Sequence, residues 1–546
     1  MARPRQALAA LASNRALARV SITWLLFIVS EYAVWIAMLV YAYGRGGATT
    51  AGVVAVAQLV PGVVVGPLVS TIADQRSPVL LLVSGYVVQT AGMAITAVVL
   101  YTGGPPLAAY GGAVLASTAI TATRPGQATL IPALARSADE LTAANAVLGW
   151  MENVGIVLAG TLTGLALSSG QPGLVFALGA ACTTLAAVLL AALRIPPIAV
   201  DDGAARPGAM AAVLQGIVIL KRRPQPRLLV GLITAQYVLI GALDLLLVVL
   251  AISVLHRGAQ WSGYLNTAYG VGGLAAGALT ITLLGRRLGI PIMFAVATVF
   301  LALAATAFAP KPLITLLLVG AVGFGRAVLD TATRTLLQRT VPSDLLGRIF
   351  GVVEGLSMAG LALGSLLVPL LTHLGGTRAA LIGTAAVLPL AVLLGGRAIT
   401  SLDAAANVPV VEIALLRSMK HFRALPTPAL EGLAQAAQRR IFVDGQTIIA
   451  QGDNGDVFYA IAEGEVDVWV DGIHVGLRRR PEGLGEIALV RKIPRSATVV
   501  AKGPVVLYAL DAEAFLTVVT GHEATRRYVD AVATSRLTGR DPEPPE

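Results

Sequence analysis

The chain has 546 residues, of which 56% are hydrophobic and only 13% charged, and its mean hydropathy is +0.77. A soluble domain carries about 25% charged residues, so this composition excludes a wholly soluble protein and places most of the chain in lipid. The net charge is +10, but the basic residues sit in short loops between apolar runs, with no basic stripe or reader motif; that pattern fits membrane topology and argues against nucleic acid as a partner.

The N-terminus has arginines but no short apolar core followed by a cleavage site, so the first apolar run reads as a retained helix. A span takes about 20 apolar residues to cross ~30 Å of hydrocarbon. Twelve runs qualify: 17–43, 50–73, 78–101, 106–124, 142–168 and 172–194, then 228–255, 261–284, 290–308, 312–334, 345–372 and 378–397. Turn formers punctuate them at Gly103-Gly104-Pro105-Pro106, Gly170-Gln171-Pro172, Ala309-Pro310-Lys311-Pro312 and Gly375-Gly376. The single cysteine, Cys182, lies inside a run, so no disulfide framework exists within the chain.

One set of loops holds Arg3, Arg5, Arg15, Arg19, Arg76, Arg136, Arg206, Lys221 to Arg223, Arg227, Arg286, Arg287, Arg339 and Arg397; the opposite set holds Arg45, Arg257, Lys311 and Arg378. The richer set is cytoplasmic by the positive-inside rule, which puts both chain ends inside. Residues 195–227 join an N-half, 1–194, to a C-half, 228–397. Within that stretch Ala209–Leu220 is either a short amphipathic helix on the inner leaflet or a plain linker. The halves echo each other at an offset of 211 residues: Gly52, Gly66, Leu68 and Arg76 match Gly263, Gly277, Leu279 and Arg287. Two parallel six-helix repeats with a substrate site between them follow from that echo.

Ionisable groups in lipid are expensive and functional by default. Glu31 lies in the first run, Glu152 in the fifth, Asp244 in the seventh and Glu354 in the eleventh. Acids at matched depth in both halves suit a central cavity that couples protons or binds a cationic substrate. The bland alternative is an acid paired with a neighbouring helix or facing water near an end. Arg326, Asp330 and Arg334 recur every four residues, on one face of the tenth run and toward its cytoplasmic end. With Arg124 in the fourth run they read as an ion-pair cluster closing a cytoplasmic gate.

Charges return at soluble density from Glu412. Glu412–Phe422 and Ala429–Gln438 read as helices, with Leu425-Pro-Thr-Pro428 between them. Short strands follow at 447–450, 457–461, 465–470, 496–500 and 505–510, with turns at Asp444-Gly445, Gly452-Asp453, Asn454-Gly455, Glu463-Gly464 and Asp471-Gly472. Many short strands closed by turns make a small barrel or jelly roll. Helical periodicity returns over Ala512–Thr520 and Glu523–Arg536, and 537–546 reads as a disordered tail.

Two resemblances can be named on these residues. Gly66 to Arg76, a glycine followed eight residues later by Asp74-Gln75-Arg76, resembles the loop signature of the major facilitator superfamily. Arg124-Pro-Gly-Gln-Ala and Asp139-Glu-Leu-Thr-Ala-Ala-Asn145 resemble that superfamily's drug and siderophore exporters. The family pattern has a basic residue where Gln75 stands, and continues into Gly-Arg-Arg/Lys where Ser77-Pro78 follows. The resemblance covers roughly 1–400 and implies secondary transport, with Asp74 belonging to the gate cluster.

Gly483-Leu-Gly-Glu-Ile-Ala-Leu-Val-Arg-Lys-Ile-Pro-Arg-Ser-Ala-Thr-Val499 resembles the phosphate-binding cassette of cyclic-nucleotide-binding domains, and Gln451–Tyr459 and Gly464-Glu-Val466 fit the same family. This resemblance covers about 411–536. It implies that Gly485 lets the backbone approach a cyclic phosphate, that Ile487, Ala488 and Ala497 offer amides, that Arg495 and Ser496 bind phosphate oxygens, and that Glu486 accepts from the ribose 2′-hydroxyl. The chemistry agrees: an anion wants a helical first turn and a guanidinium fork. Cyclic AMP is favoured over cyclic GMP, although Ser496 after the arginine supports guanine in some relatives. Tyr528 and Val529 in the last helix are expected near the base.

The reading is therefore an all-α membrane domain of 12 transmembrane helices in two six-helix repeats, followed by a C-terminal α+β domain with a jelly-roll barrel flanked by helices. The expected function is a proton-coupled exporter in the plasma membrane, tuned by cytoplasmic cyclic nucleotide. The alternatives are a membrane-tethered nucleotide receptor that moves nothing, and a domain that captures cyclic AMP for export. No Walker loop, cyclase pattern, zinc spacing or nucleophile elbow is present, so neither enzyme chemistry nor a cofactor is expected. The partners are the bilayer, a cyclic nucleotide, an unidentified small-molecule substrate and a second copy of the chain, since related domains pair through their end helices.

Overall fold

The computed structural model describes residues 14–73, 78–134, 138–193, 209–280, 288–308, 310–341, 343–405, 410–422, 425, 427–521 and 523–538. Asp74, most of the linker before Ala209 and the tail after Thr538 lie outside them.

The membrane half is helical throughout. Its helices are α1 Arg15–Ala73, α2 Pro78–Thr102, α3 Pro106–Leu134, α4 Ala138–Ser168, α5 Pro172–Ala191, α6 Ala209–Arg222, α7 Pro224–Val249, α8 Gln260–Thr280, α9 Gly289–Phe308, α10 Pro312–Thr340 and α11 Ser343–Ala405. A π-helical turn, Leu250–Val254, extends α7. Proline opens α2, α3, α5, α7 and α10, because its fixed φ suits the first turn and the N–H it lacks would be unpaired there. Among the described residues, eight helices are long and apolar enough to cross a bilayer. In α1 and in α11 two helical stretches meet at a non-helical corner, where the sequence reads a loop. Each turns at a glycine pair with the same backbone geometry, φ −158° and 64° at Gly46-Gly47 and φ −151° and 71° at Gly375-Gly376. Only glycine takes the second of those angles cheaply.

Small residues let helices approach across the molecule. A Cβ on Gly160 of α4 would lie 2.7 Å from the Thr267 nitrogen of α8, and one on Gly241 of α7 would strike the Leu361 carbonyl of α11. Where burial in lipid gives no hydrophobic force between helices, such close contact is what holds them. Ala209–Arg222 is a helix, and Gly216 packs against Arg348 and Val352 of α11.

The C-terminal part contains α12 Val410–Ser418, a 3₁₀ turn Lys420–Phe422, α13 Thr427–Ala436, β1 Gln438–Phe442, β2 Thr447–Ile449, β3 Val457–Val470, β4 Ile473–Arg479, β5 Gly483–Leu484, α14 Glu486–Arg491, β6 Thr498–Asp511, α15 Ala512–Gly521 and α16 Glu523–Thr538. The strands form one antiparallel sheet in the order β1-β6-β3-β4, with β2 on β6 and β5 on β3. Two sequence expectations are corrected here. Glu463-Gly464 is no turn: β3 runs straight through it and shifts register against β6, with Gly464 at φ +86°. The β6 strand is likewise continuous from Thr498 to Asp511, so four expected strands are two long ones. The second expected helix stops at Ala436, and Gln438 begins β1. One core, containing Phe422, Phe458, Phe515 and Val529, joins the helices to the sheet; a second, with Ile461, Val466, Val499 and Leu507, fills the sheet's inner face.

Candidate nucleotide-binding and membrane charge sites

The cassette starts where β5 ends. Gly485 stands at φ +88° as the N-cap of α14, a left-handed angle glycine adopts without strain. A Cβ there would run into the Arg495 guanidinium and sit 2.9 Å from the Val457 carbonyl. Arg495 is thus brought against Gly485, with only 6% of its surface exposed. It donates to the Gly485 carbonyl at 3.0 Å and to the Val457 carbonyl at 2.7 Å, and Asp456 lies 3.9 Å away. Burial lowers its pKa, with Asp456 opposing. A guanidinium has five N–H donors, and these carbonyls take two of them.

The Gln451–Asp456 segment closes one side. Arg495 N–H donates to the Asp453 carbonyl at 2.8 Å, and Gly452 N–H donates to the Arg495 carbonyl at 2.9 Å. Gly455 packs so closely that an added Cβ would lie 2.5 Å from the Ala488 methyl. The expected turns at Gly452 and Gly455 therefore position the cassette.

Glu486 is 1% exposed. Its Oε1 accepts a 2.7 Å bond from Arg536 of α16, which also donates to the Gly483 carbonyl at 2.9 Å. Its Oε2 is buried without a partner. Buried carboxylate oxygens are normally bonded, so this one has room for a donor such as a sugar hydroxyl. Ile487, Ser496 and Ala497 are half-buried beside the same turn, and Ala488 is buried. Arg536 and Asp456 were not singled out in the sequence: nothing in a helix end or a turn acid marks them, and Arg536 lies 50 residues from its partner. Of the residues expected near the base, Val529 is fully buried in the core and Tyr528 lies edge-on to His421, centroids 5.5 Å apart.

In the membrane half the structure divides the expected charges differently from the sequence reading. Arg124 joins the acids: it donates to Glu31 at 2.9 Å and lies 3.9 Å from Glu152. Trp24 and Phe27 rings stand 5.6 and 5.9 Å from the same guanidinium. Asp244 accepts from Trp35 Nε1 at 3.0 Å, a bond from α7 to α1. Asp330 pairs with Arg334 at 3.0 Å and accepts from Gln236 at 3.3 Å, while Arg334 also donates to the Tyr237 hydroxyl at 2.9 Å. Glu354 is exposed and lies within electrostatic reach of Arg334 and Tyr237. Arg326 stands apart from this pairing. Because α10 runs on to Thr340, Arg326 falls at its midpoint, not toward one end.

Two family models match separate stretches of the chain. The family model described as Major Facilitator Superfamily matches residues 20–353, and that of the cyclic nucleotide-binding domain matches 439–522. Two curated relatives, both described as cAMP-dependent protein kinase regulatory subunits, match the C-terminal part. The one from Yarrowia lipolytica is 36% identical over 116 residues, 21% of this chain and 31% of its own length; that from Debaryomyces hansenii is 36% identical over 108 residues, 19% and 24%. The chain thus spans under a third of the length of these relatives. Among solved structures, the regulatory domain of Toxoplasma gondii PKA with cAMP is 24% identical, covers 26% of this chain and 56% of that one, with a TM-score of 0.23. The regulatory subunit of a cAMP-independent protein kinase A from Trypanosoma brucei is 24% identical, with coverages of 24% and 49% and a TM-score of 0.22.

Proposed function

The chain belongs to the Major Facilitator Superfamily and carries a C-terminal cyclic nucleotide-binding domain, and from that premise we propose that it is a secondary transporter tuned by cyclic AMP. The observation that carries the regulatory half is the pair Glu486 and Arg495. One buried carboxylate has an oxygen to spare, and one buried guanidinium has donors to spare. A cyclic nucleotide supplies both complements, a ribose hydroxyl and an anionic phosphate. On this reading the phosphate lies against Arg495, Ser496 and the amides of Ile487, Ala488 and Ala497, while Gly485 keeps side chains out of its way.

The membrane half is read as twelve spans in two six-helix repeats in the plasma membrane, with both termini cytoplasmic, exporting its substrate against a proton gradient. The triad of Glu31, Arg124 and Glu152 supports proton coupling. Two acids share one guanidinium, so the cluster holds one surplus negative charge that a proton discharges. The Asp330–Arg334 pair serves as a cytoplasmic latch with Glu354 within reach, and Asp74, outside the described residues, is assigned to the same gate by the family resemblance. Asp244, through Trp35, ties the two halves together. Nucleotide binding shifts the balance of gate states by its differential affinity for them.

The test is calorimetric titration of cyclic AMP and cyclic GMP into the purified full chain. Micromolar binding of cyclic AMP, tighter than cyclic GMP and lost in Arg495→Ala, is expected. Binding that survives Arg495→Ala, or no binding of either nucleotide, overturns the regulatory half.

A further inference from the structure

We propose that Arg326 anchors an anionic group of the transported substrate, so that the membrane half carries amphipathic anions such as carboxylates or sulfonates on an apolar body. The inference rests on the transport reading and names its substrate class, and it turns away from the cationic substrate that the membrane acids alone suggest.

Four half-buried acids of the membrane half already have donors or a cation beside them. Glu31 and Glu152 face Arg124, Asp244 holds Trp35, and Asp330 holds Arg334 and Gln236. Arg326 has no carboxylate within salt-bridge distance among the described residues; Asp330 and Asp244 stand only within its electrostatic reach, and its Nε is buried without a partner. Asp330 is one turn away on the same helix but gives its oxygen to Arg334. A half-buried guanidinium with an unpaired, buried Nε is costly, and an anionic ligand would supply the missing acceptor.

Its place suits that role. Arg326 lies at the midpoint of α10, where a substrate site between two halves is expected. The Tyr269 ring of α8 lies 6.0 Å from its guanidinium carbon, and the buried Tyr269 hydroxyl faces the same guanidinium. Tyr32 of α1 and Tyr237 of α7 stand within electrostatic reach of the same guanidinium, so both halves of the membrane domain approach it. Aromatic side chains around a planar cation accept an apolar body while the cation takes the charge.

The test uses two probes with the same four-phenyl body and opposite charge, tetraphenylborate and tetraphenylphosphonium. Each is titrated onto the full chain in lipid nanodiscs, with partition into empty nanodiscs subtracted. Saturable binding of the borate is expected, weakened at least tenfold in Arg326→Gln and partly retained in Arg326→Lys. Cyclic AMP affinity of the same samples serves as the folding control. Preference for the phosphonium, or borate binding that Arg326→Gln leaves unchanged, overturns the proposal. Binding needs neither gradient nor turnover, so the outcomes separate the two readings. A chain that binds borate through Arg326 yet moves nothing defeats the transport reading alone, and one that transports without regard to Arg326 defeats this inference alone.

Discussion

The spare oxygen of Glu486 leads to a measurement that does not require removing the residue. A hydrogen bond to a charged group contributes about 1.5–3 kcal/mol, and each 1.4 kcal/mol is about tenfold in affinity. Cyclic AMP lacking its 2′-hydroxyl is expected to bind the wild-type chain about tenfold to a hundredfold more weakly. In Glu486→Gln that gap is expected to shrink, since the neutral amide offers a weaker acceptor; an equal gap in both proteins removes the ribose role. Glu486 and Arg495 were legible in the sequence because the cassette is a run of residues with fixed neighbours, and Gly485 marks where its backbone turns. Arg536 was not, because it reaches Glu486 only through the fold. The same holds for Arg124: its charge was legible, but its choice of Glu31 over the α10 cluster depends on how α1, α3 and α4 pack.

At the scale of elements, β3 and β6 show how a glycine misleads. Gly464 and Gly503 have the positive φ of turn residues, but each sits within a long strand and bends it, as a bulge does. The 3₁₀ turn carries a second consequence. His421 is buried beside Phe422, Phe458 and Tyr528, with neither ring nitrogen bonded, and burial pushes its pKa down to about 4. The unfolded chain therefore takes up the proton first, near an ordinary value of about 6.5. Stability is complete above that value and is lost as pH falls toward 4, by roughly 2 kcal/mol at pH 5. Limited proteolysis of the full chain is expected to cut the C-terminal part faster at pH 5 than at pH 7, and His421→Phe is expected to remove most of the difference. An unchanged difference in that variant rules out His421 as its source. In α10, Asp330→Asn removes the charge of the pair and leaves Arg334 with a neutral amide, the Tyr237 hydroxyl and the more distant Glu354. Both partners of the broken pair are more than a quarter exposed, so the loss is put at about 0.5–1 kcal/mol. Labelling of cysteines placed at the cytoplasmic ends of the helices is expected to rise a few-fold; unchanged labelling excludes the latch.

For the whole molecule, the rise in charge density between Arg397 and Glu412 was legible, and so were the apolar runs that form the helices of the described residues. The corner in α11 was legible as the glycine pair Gly375-Gly376, and the one in α1 as the gap between two apolar runs, 44–49; that the chain turns there within two residues, Gly46 and Gly47, was not. Coupling between the two parts is not a property of any one residue, since it requires that nucleotide prefer one gate state. An ordinary coupling of about 1–3 kcal/mol changes the ratio of two states by about five- to 150-fold.

The most direct measurement needs no substrate. Cysteines introduced at Ala138 and Ser343, the starts of α4 and α11, would carry spin labels in a Cys182→Ser background, and the distance between them would be measured with and without cyclic AMP. The account predicts a two-population distance distribution whose weights shift with saturating nucleotide in the otherwise wild-type chain and stay fixed in Arg495→Ala. Saturating cyclic AMP that binds, yet leaves the distribution unchanged, would contradict it.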